Sequence, residues 1–248
     1  MTHLKQLRAT VLTTLVALTL MVPNAASAIF EVYFTDDAGV GTLRQAIIAA
    51  NANPGFDTIV FAPTFPVDGV ITPATSLPPL SDPTGGTFIN GHTAPSGMVT
   101  IDGDLTTSSV GLTLSTDGNE IAGLSLVRFL DGVWIAGDSN SIHSNHIGVA
   151  PDGQTEMPNT TGIELAYVNG ADGNRIGCDG GNVISGNSQW GIYGVVESGY
   201  LIIENNMIGV DATGSTAVPN DYAGVILMDP DSVIIGNNVV SGLSLIHI

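Results

Sequence analysis

Apolar and polar positions alternate in short runs from Ile29 onward: IFEVYF (29–34), DTIVF (57–61), MVTID (98–102), and then two interleaved series separated by Gly/Asn/Asp turns. One series is led by glycine, with GLTL at Gly111, GVWI at Gly132, GIEL at Gly162, GIYG at Gly191 and GVIL at Gly224. The other reads NEIAGLSL at Asn119, NSIHSNHI at Asn140, NRIG at Asn174, YLIIENNMI at Tyr200 and SVIIGNNVV at Ser232. Period-two alternation bounded by turn residues predicts strands. One stretch alone has helical spacing: Leu43, Ala46, Ile47 and Ala50 share a face, Thr42 with Gln45 forms a capping box, and Pro54-Gly55 ends the run. The crowd of Pro63, Pro66, Pro73, Pro78, Pro79 and Pro83 predicts irregular first strands, because proline breaks a sheet ladder.

The pattern also repeats. Ile147–Asn159, IGVAPDGQTEMPN, returns as Ile208–Asn220, IGVDATGSTAVPN, with seven of thirteen positions identical at an offset of 61, and NVISGN at Asn182 returns as NVVSG at Asn238. Two strand series without intervening helices exclude the helix-crossover route to a parallel sheet. What remains is a coil with one turn per repeat, whose strands stack on the turn below. Ile142, Ile147, Ile163, Ile184, Ile208 and Ile234 are expected to point inward as ladders. Asn145, Asn187, Asn206 and Asn238 are expected in left-handed turn conformations, stacked amide on amide. An antiparallel sandwich would also give short strands, but not the 61-residue self-similarity. An array of this kind exposes core at its open ends, so 29–56 reads as an N-terminal cap of strand plus amphipathic helix, ahead of repeats over 57–242.

Composition adds the compartment. Lys5 and Arg8, an apolar run from Val11 to Val22 and the small residues Ala26-Ser27-Ala28 read as a signal peptide over 1–28, too short in its apolar part to span a bilayer. Removing it leaves Arg44, Arg128 and Arg175 against 23 acidic residues, a net charge of −20. That field disfavours nucleic acid and anionic lipid, and it repels polyuronates unless a divalent cation intervenes. Cys178 is the chain's one cysteine, so no intrachain disulfide forms, and it reads as a small buried hydrophobe.

Candidate chemistry is sparse. A lyase base would have to be Arg128 or Arg175; the first is expected to pair with Asp131 and the second to sit in the same way beside the Asp172-Gly173 turn. Asp102 and Asp104 have even spacing and could share a face as a carboxylate pair, but Gly103 between them favours a turn. His143 and His146 lie three apart on a strand, which points them to opposite faces and away from a shared metal. The PDG and DATG loops and Asp229-Pro230-Asp231 could hold calcium through carboxylate and carbonyl oxygens, although solvated turn acids are the favoured reading. No catalytic or cofactor-binding residue is assigned, and a metal site stays open.

TDDAGVGTLRQAIIAANANPGFDTIVF (35–61), ITPATSLPPL (71–80) and the NVISGN and NNMIGVDATGSTAVPN units closely resemble bacterial exported right-handed parallel β-helix repeat proteins. The resemblance implies an all-β, single-stranded right-handed parallel β-helix with an N-terminal capping helix, in a secreted or cell-surface protein without demonstrated activity. The same fold class holds pectate lyases, polygalacturonases and alginate epimerases. Leu243 stands where the repeat asks for Asn, and LSLIHI (243–248) has no turn chemistry, so the C-terminal end reads as truncated, with an atypical and foreign-looking tail. The expected role is structural, adhesion-like or carbohydrate-contacting, toward a neutral polysaccharide or a cell-surface partner, with acids and aromatics scattered. A polysaccharide lyase or glycoside hydrolase is the alternative and would cluster acids in a groove. The exposed last repeat is expected to associate end to end.

Overall fold

The computed structural model describes residues 26–105, 109–165, 172–195, 200–228 and 232–241. The signal-peptide reading, apart from its last three residues, the Asp229-Pro230-Asp231 turn and the 243–248 tail lie outside the described residues. The chain opens with β1 (Ile29–Val32) and α1 (Leu43–Ala52), followed by β2 (Asp57–Phe61), β3 (Val70–Ile71), β4 (Thr87–Asn90), β5 (Val99–Asp102) and β6 (Val110–Leu114). Regular circuits of three strands follow: β7 (Glu120–Ala122), β8 (Leu124–Val127), β9 (Asp131–Ile135); then β10 (Ser141–His143), β11 (His146–Ile147), β12 (Thr161–Leu165). The next are β13 (Asn174–Ile176), β14 (Val183–Ile184), β15 (Trp190–Val195); then β16 (Tyr200–Glu204), β17 (Met207–Ile208), β18 (Ala223–Met228); and finally β19 (Ser232–Gly236), β20 (Val239–Val240).

The strands form three parallel sheets. The first orders β1-β2-β4-β7-β10-β13-β16-β19, the second β3-β5-β8-β11-β14-β17-β20, and the third β6-β9-β12-β15-β18, so each strand pairs with its counterpart one circuit away. No helix among the described residues is long and apolar enough to cross a membrane. The prolines act as their spacing predicts: the first circuits have a two-residue β3, and the third sheet starts only at β6, with Leu80 bridging to Leu114 below it. Thr42 caps α1 by accepting from the Gln45 N–H, and Leu43, Ala46, Ile47 and Ala50 join the core against β1 and β2.

One core runs through the stack, with a ladder from each sheet. Ile147 pairs with Ile184 and Ile184 with Ile208, which places the two copies of the 61-residue repeat in one ladder, two steps apart. Ile142, Ile147, Ile163, Ile184 and Ile208 are fully buried. Ile234 is not. The ladder from Ile142 continues through Ile176 and Ile203 to Ile235, while Ile234 pairs with Ile202 on the outward phase. The run SVIIG offers two adjacent isoleucines, and the expectation chose the wrong one of the two phases.

Asparagine ladders stand at all three corners. Between the first and second sheets, Asn145 Nδ2 donates to Asn182 Oδ1 (3.2 Å), Asn182 to Asn206 (2.9 Å) and Asn206 to Asn238 (2.9 Å). Between the second and third, Asn159 donates to Asn187 (3.2 Å) and Asn187 to Asn220 (2.8 Å). Between the third and first, Asn119 Nδ2 donates to Asn140 Oδ1 (3.0 Å), and the Asn140 N–H to Asn174 Oδ1 (2.8 Å). The stacking expectation holds, but the left-handed turn does not fall on Asn145, Asn187, Asn206 and Asn238. It falls on the residue before each, Ser144 (φ 55°), Gly186 (φ 69°), Asn205 (φ 63°) and Asn237 (φ 55°). The turn residue reverses the chain, which leaves the next side chain free to point inward and satisfy buried backbone.

Candidate functional site: the outer face of the third sheet

The glycine that leads each third-sheet strand decides which side chains reach the surface. A Cβ at Gly132 would lie 2.9 Å from Ile147 Cγ2 and 3.0 Å from Asn159 Nδ2, on the core side of the sheet. Val133, the next residue, is fully buried as well. Two successive inward positions break the period of two, so residues three apart, Asp131 and Trp134, share the outer face. The same holds for Thr161 and Glu164, and for Trp190 and Tyr193.

Two columns therefore run along the stacking direction. One is Val110, Asp131, Thr161, Trp190, Ala223; the other is Thr113, Trp134, Glu164, Tyr193, Ile226. Glu164 stands between Trp134 and Tyr193, whose strands lie two steps apart, about 10 Å at normal strand spacing. Trp190 and Tyr193 stack with ring centroids 4.8 Å apart and planes 28° apart, and Tyr222, more than half exposed, lies 6.1 Å from Trp190. Both tryptophans of the chain are on this face.

A carboxyl pair sits among the rings. Asp131 is buried, the Thr161 side chain is hydrogen-bonded to it, and the Glu164 carboxyl is within hydrogen-bonding contact. Burial pushes the Glu164 carboxyl up to about 7, and the negative charge and hydrogen bond of Asp131 push the same way. Burial also raises Asp131. Two carboxylates in contact cannot both ionise cheaply, so near neutrality the pair shares one proton. The face thus offers flat aromatic rings flanking a group that both donates and accepts hydrogen bonds.

The other expected residues are used elsewhere. Arg128 does not pair with Asp131: it meets Asp102 with two nitrogens, one of them Nε at 2.7 Å, and Asp104 at 3.2 Å. The left-handed backbone of Arg128 (φ 62°) turns the side chain back toward β5, away from β9. Asp102 and Asp104 do converge, on that one guanidinium. Arg175 stands mid-strand in β13 and reaches Asp179 at 3.9 Å, so it does not sit at the Asp172 turn as expected; Asp172 accepts the Tyr200 N–H. His143 and His146 stand not on one strand but on β10 and β11, either side of a corner: His143 Nε2 contacts Glu120 Oε1 (2.8 Å) and His146 Nδ1 contacts the Ala150 carbonyl (3.1 Å). In the loops, Asp152 accepts from the Gln154 and Thr155 N–H groups, and Asp211 from Ser215 and Thr216. Cys178 is half-buried rather than buried, with burial raising its thiol.

Against the expected scatter, two acids, Asp131 and Glu164, and four aromatics, Trp134, Trp190, Tyr193 and Tyr222, gather on one face, while the loop acids stay dispersed. The signal was present in the glycine-led strands: aligned on Gly132, Gly162 and Gly191, the residues one before and two after fall into the two columns. A strict period of two puts them on opposite faces, which hid the cluster. No family model matches the chain, and a search of curated proteins found no match.

Proposed function

We propose that the three sheets are the walls of one right-handed parallel β-helix, and that the chain is an exported surface or secreted protein whose third-sheet face holds a neutral polysaccharide. The observation that carries this reading is the strip Trp134, Glu164, Tyr193 with Trp190 and Tyr222 beside it. Rigid rings present an apolar face to the carbon-bound hydrogens of a sugar at low entropic cost, and a few convergent polar groups fix orientation. Rings about 10 Å apart along the stack match the reach of a disaccharide unit in an extended chain. The net charge of −18 to −20 argues for a neutral polymer over a polyuronate.

Contact between the two carboxyls supports binding over hydrolysis. Glycoside hydrolases set the pair about 5 to 9.5 Å apart, with the sugar or a water between them. Among the described residues neither candidate base stands on the face: the Arg128 guanidinium is committed to Asp102 and Asp104, and Arg175 lies in β13 of the first sheet beside Asp179.

Affinity electrophoresis through gels containing neutral glucan, mannan, xylan or galactan tests the binding reading. At least one polymer should retard the protein, and Trp134→Ala and Trp190→Ala should each weaken retardation about tenfold. Equal migration of wild type and both variants in every gel would end it, as would release of reducing sugar or unsaturated product by the wild type.

A further inference from the structure

The corner between the third and first sheets is built by one repeated hydrogen bond, and its first circuit departs from the pattern. The N–H of each corner residue donates to the side-chain oxygen one circuit on: Thr87 to Asn119 Oδ1 (2.9 Å), Asn119 to Asn140 Oδ1 (2.8 Å) and Asn140 to Asn174 Oδ1 (2.8 Å). The Ala28 N–H donates in the same way (2.8 Å), but its acceptor is Asp57 Oδ1, an acid in the column that continues with Thr87 and the asparagines. Asp57 is fully buried. Its Oδ1 also accepts from Asn53 Nδ2 (2.8 Å), while Oδ2, where an asparagine would carry its donor, has no hydrogen-bond partner. No ion pair reaches Asp57 among the described residues. A buried carboxylate without a cation is strongly destabilising, so an acid at this one circuit needs a reason.

The sequence offers a cation at this place. A leader cut after Ala26-Ser27-Ala28 makes Ile29 the first residue, and Ile29 pairs with Thr58, the residue after Asp57. An export-linked peptidase hydrolyses the Ala28–Ile29 bond with one water, whose oxygen leaves on the Ala28 carboxylate and whose two protons make the Ile29 nitrogen an ammonium. The cut also removes the Ala28 N–H from Asp57 Oδ1 and the Ala28 carbonyl from the Thr58 N–H (2.9 Å). We propose, resting on the export reading, that the Ile29 α-ammonium takes the place of the Ala28 amide and forms a buried ion pair with Asp57 Oδ1, anchoring β1 in the mature protein. An α-ammonium is charged at neutral pH and has three donors, where the amide it replaces has one. The circuits that follow have a neutral backbone N–H at this corner and use neutral side chains; the circuit that begins with a charged terminus uses an acid.

Lys5 is the chain's one lysine, so a protein that starts at Ile29 has its α-amine as its sole primary amine, and an amine-acylating reagent reads that group alone. The test is to recover the chain after export, determine its N-terminal sequence, and follow acylation of the native and the urea-unfolded protein. Wild type is compared with Asp57→Asn and, as a control for general charge, with the exposed Asp36→Asn. The sequence should begin at Ile29. Only the uncharged amine reacts, and a carboxylate partner holds the proton on, so wild type and Asp36→Asn should label at least about tenfold more slowly folded than unfolded. In Asp57→Asn the two rates should agree within about twofold. Should Asp57→Asn fail to fold, wild type acetylated in urea and then refolded decides: its Tm should fall by about 5 °C or more against protein taken through the same steps without reagent, or refolding should fail. A chain that keeps its leader, or begins elsewhere, would overturn the export reading and the ion pair together. A chain that begins at Ile29 but labels equally fast folded and unfolded, stays protected in folded Asp57→Asn, or keeps its Tm after acetylation would overturn the ion pair alone.

Discussion

The repeated loops at Asp152 and Asp211 and the third-sheet face at Asp131 and Glu164 are built from the same residue types, yet their acids titrate in opposite directions. In the loops, hydrogen-bond donors converge on each carboxylate: side-chain and backbone bonds from Thr155 hold Asp152 below its ordinary range, and backbone and hydroxyl donors led by Thr216 hold Asp211 down to about 2. The loops then bind each other, the Ala212 N–H donating to the Gly153 carbonyl (3.0 Å). On the face, burial and the neighbouring carboxyl push Glu164 up to about 7. Where the sequence repeats, acids are spent on structure. Where the columns change residue at every step, as in Thr113, Trp134, Glu164, Tyr193 and Ile226, side chains are left available to a ligand.

The largest test of that contrast lies beneath the face. A methyl group at Gly162 would fall 2.5 Å from the Gly191 carbonyl and 2.9 Å from Ile184 Cγ2, so Gly162→Ala should cost about 3 kcal/mol in urea unfolding. If it were neutral, the inward placement of these glycines, and with it the two columns, would be wrong. Next comes the corner ladder: Asn187→Ala removes both the acceptor of the Asn159 amide and the donor to Asn220 within the core. We expect a loss of about 2 kcal/mol from the same measurement.

The pH tests are smaller and opposite in sign. Glu164 binds its proton more tightly folded than unfolded, so stability should fall as pH rises from about 4.5 to about 7, and Glu164→Gln should flatten that slope. Asp211 binds its proton less tightly folded, so stability should fall as pH drops from 3.8 to about 2, and Asp211→Asn should flatten that second slope instead. Urea midpoints across pH read both, and identical slopes in the two variants would erase the distinction between loop and face. The smallest effect is expected from Asp152→Asn, about 0.5 kcal/mol, since the amide oxygen still accepts the turn N–H groups.

Much of the fold was legible because its physics is local and repeated. The helix cap at Thr42, the glycine-led and asparagine-led strand series and the proline-broken first circuits all appear where their residues place them, although the Thr42 N–H bonds the Gly39 carbonyl and not the Gln45 side chain of a full capping box. The 61-residue offset also put Ile147 and Ile208 in one ladder. The phase of SVIIG was not legible, since adjacent isoleucines satisfy either face. Nor was the partner of Arg128, because a left-handed backbone redirects the side chain across a circuit. The candidate site was hidden for a related reason: its columns depend on a glycine that takes two successive positions inward, and only the register between strands brings Asp131 beside Glu164.

Since Trp134 and Trp190 are the chain's two tryptophans, intrinsic fluorescence reports on the proposed binding face alone. Titration with the neutral polysaccharide that retards the protein most in gels should shift and change tryptophan emission saturably, with Trp190→Ala removing the larger part and Tyr193→Ala weakening the apparent affinity. A polysaccharide that binds the protein while leaving tryptophan emission unchanged would contradict the account, because the ligand would then be held somewhere other than the third-sheet face.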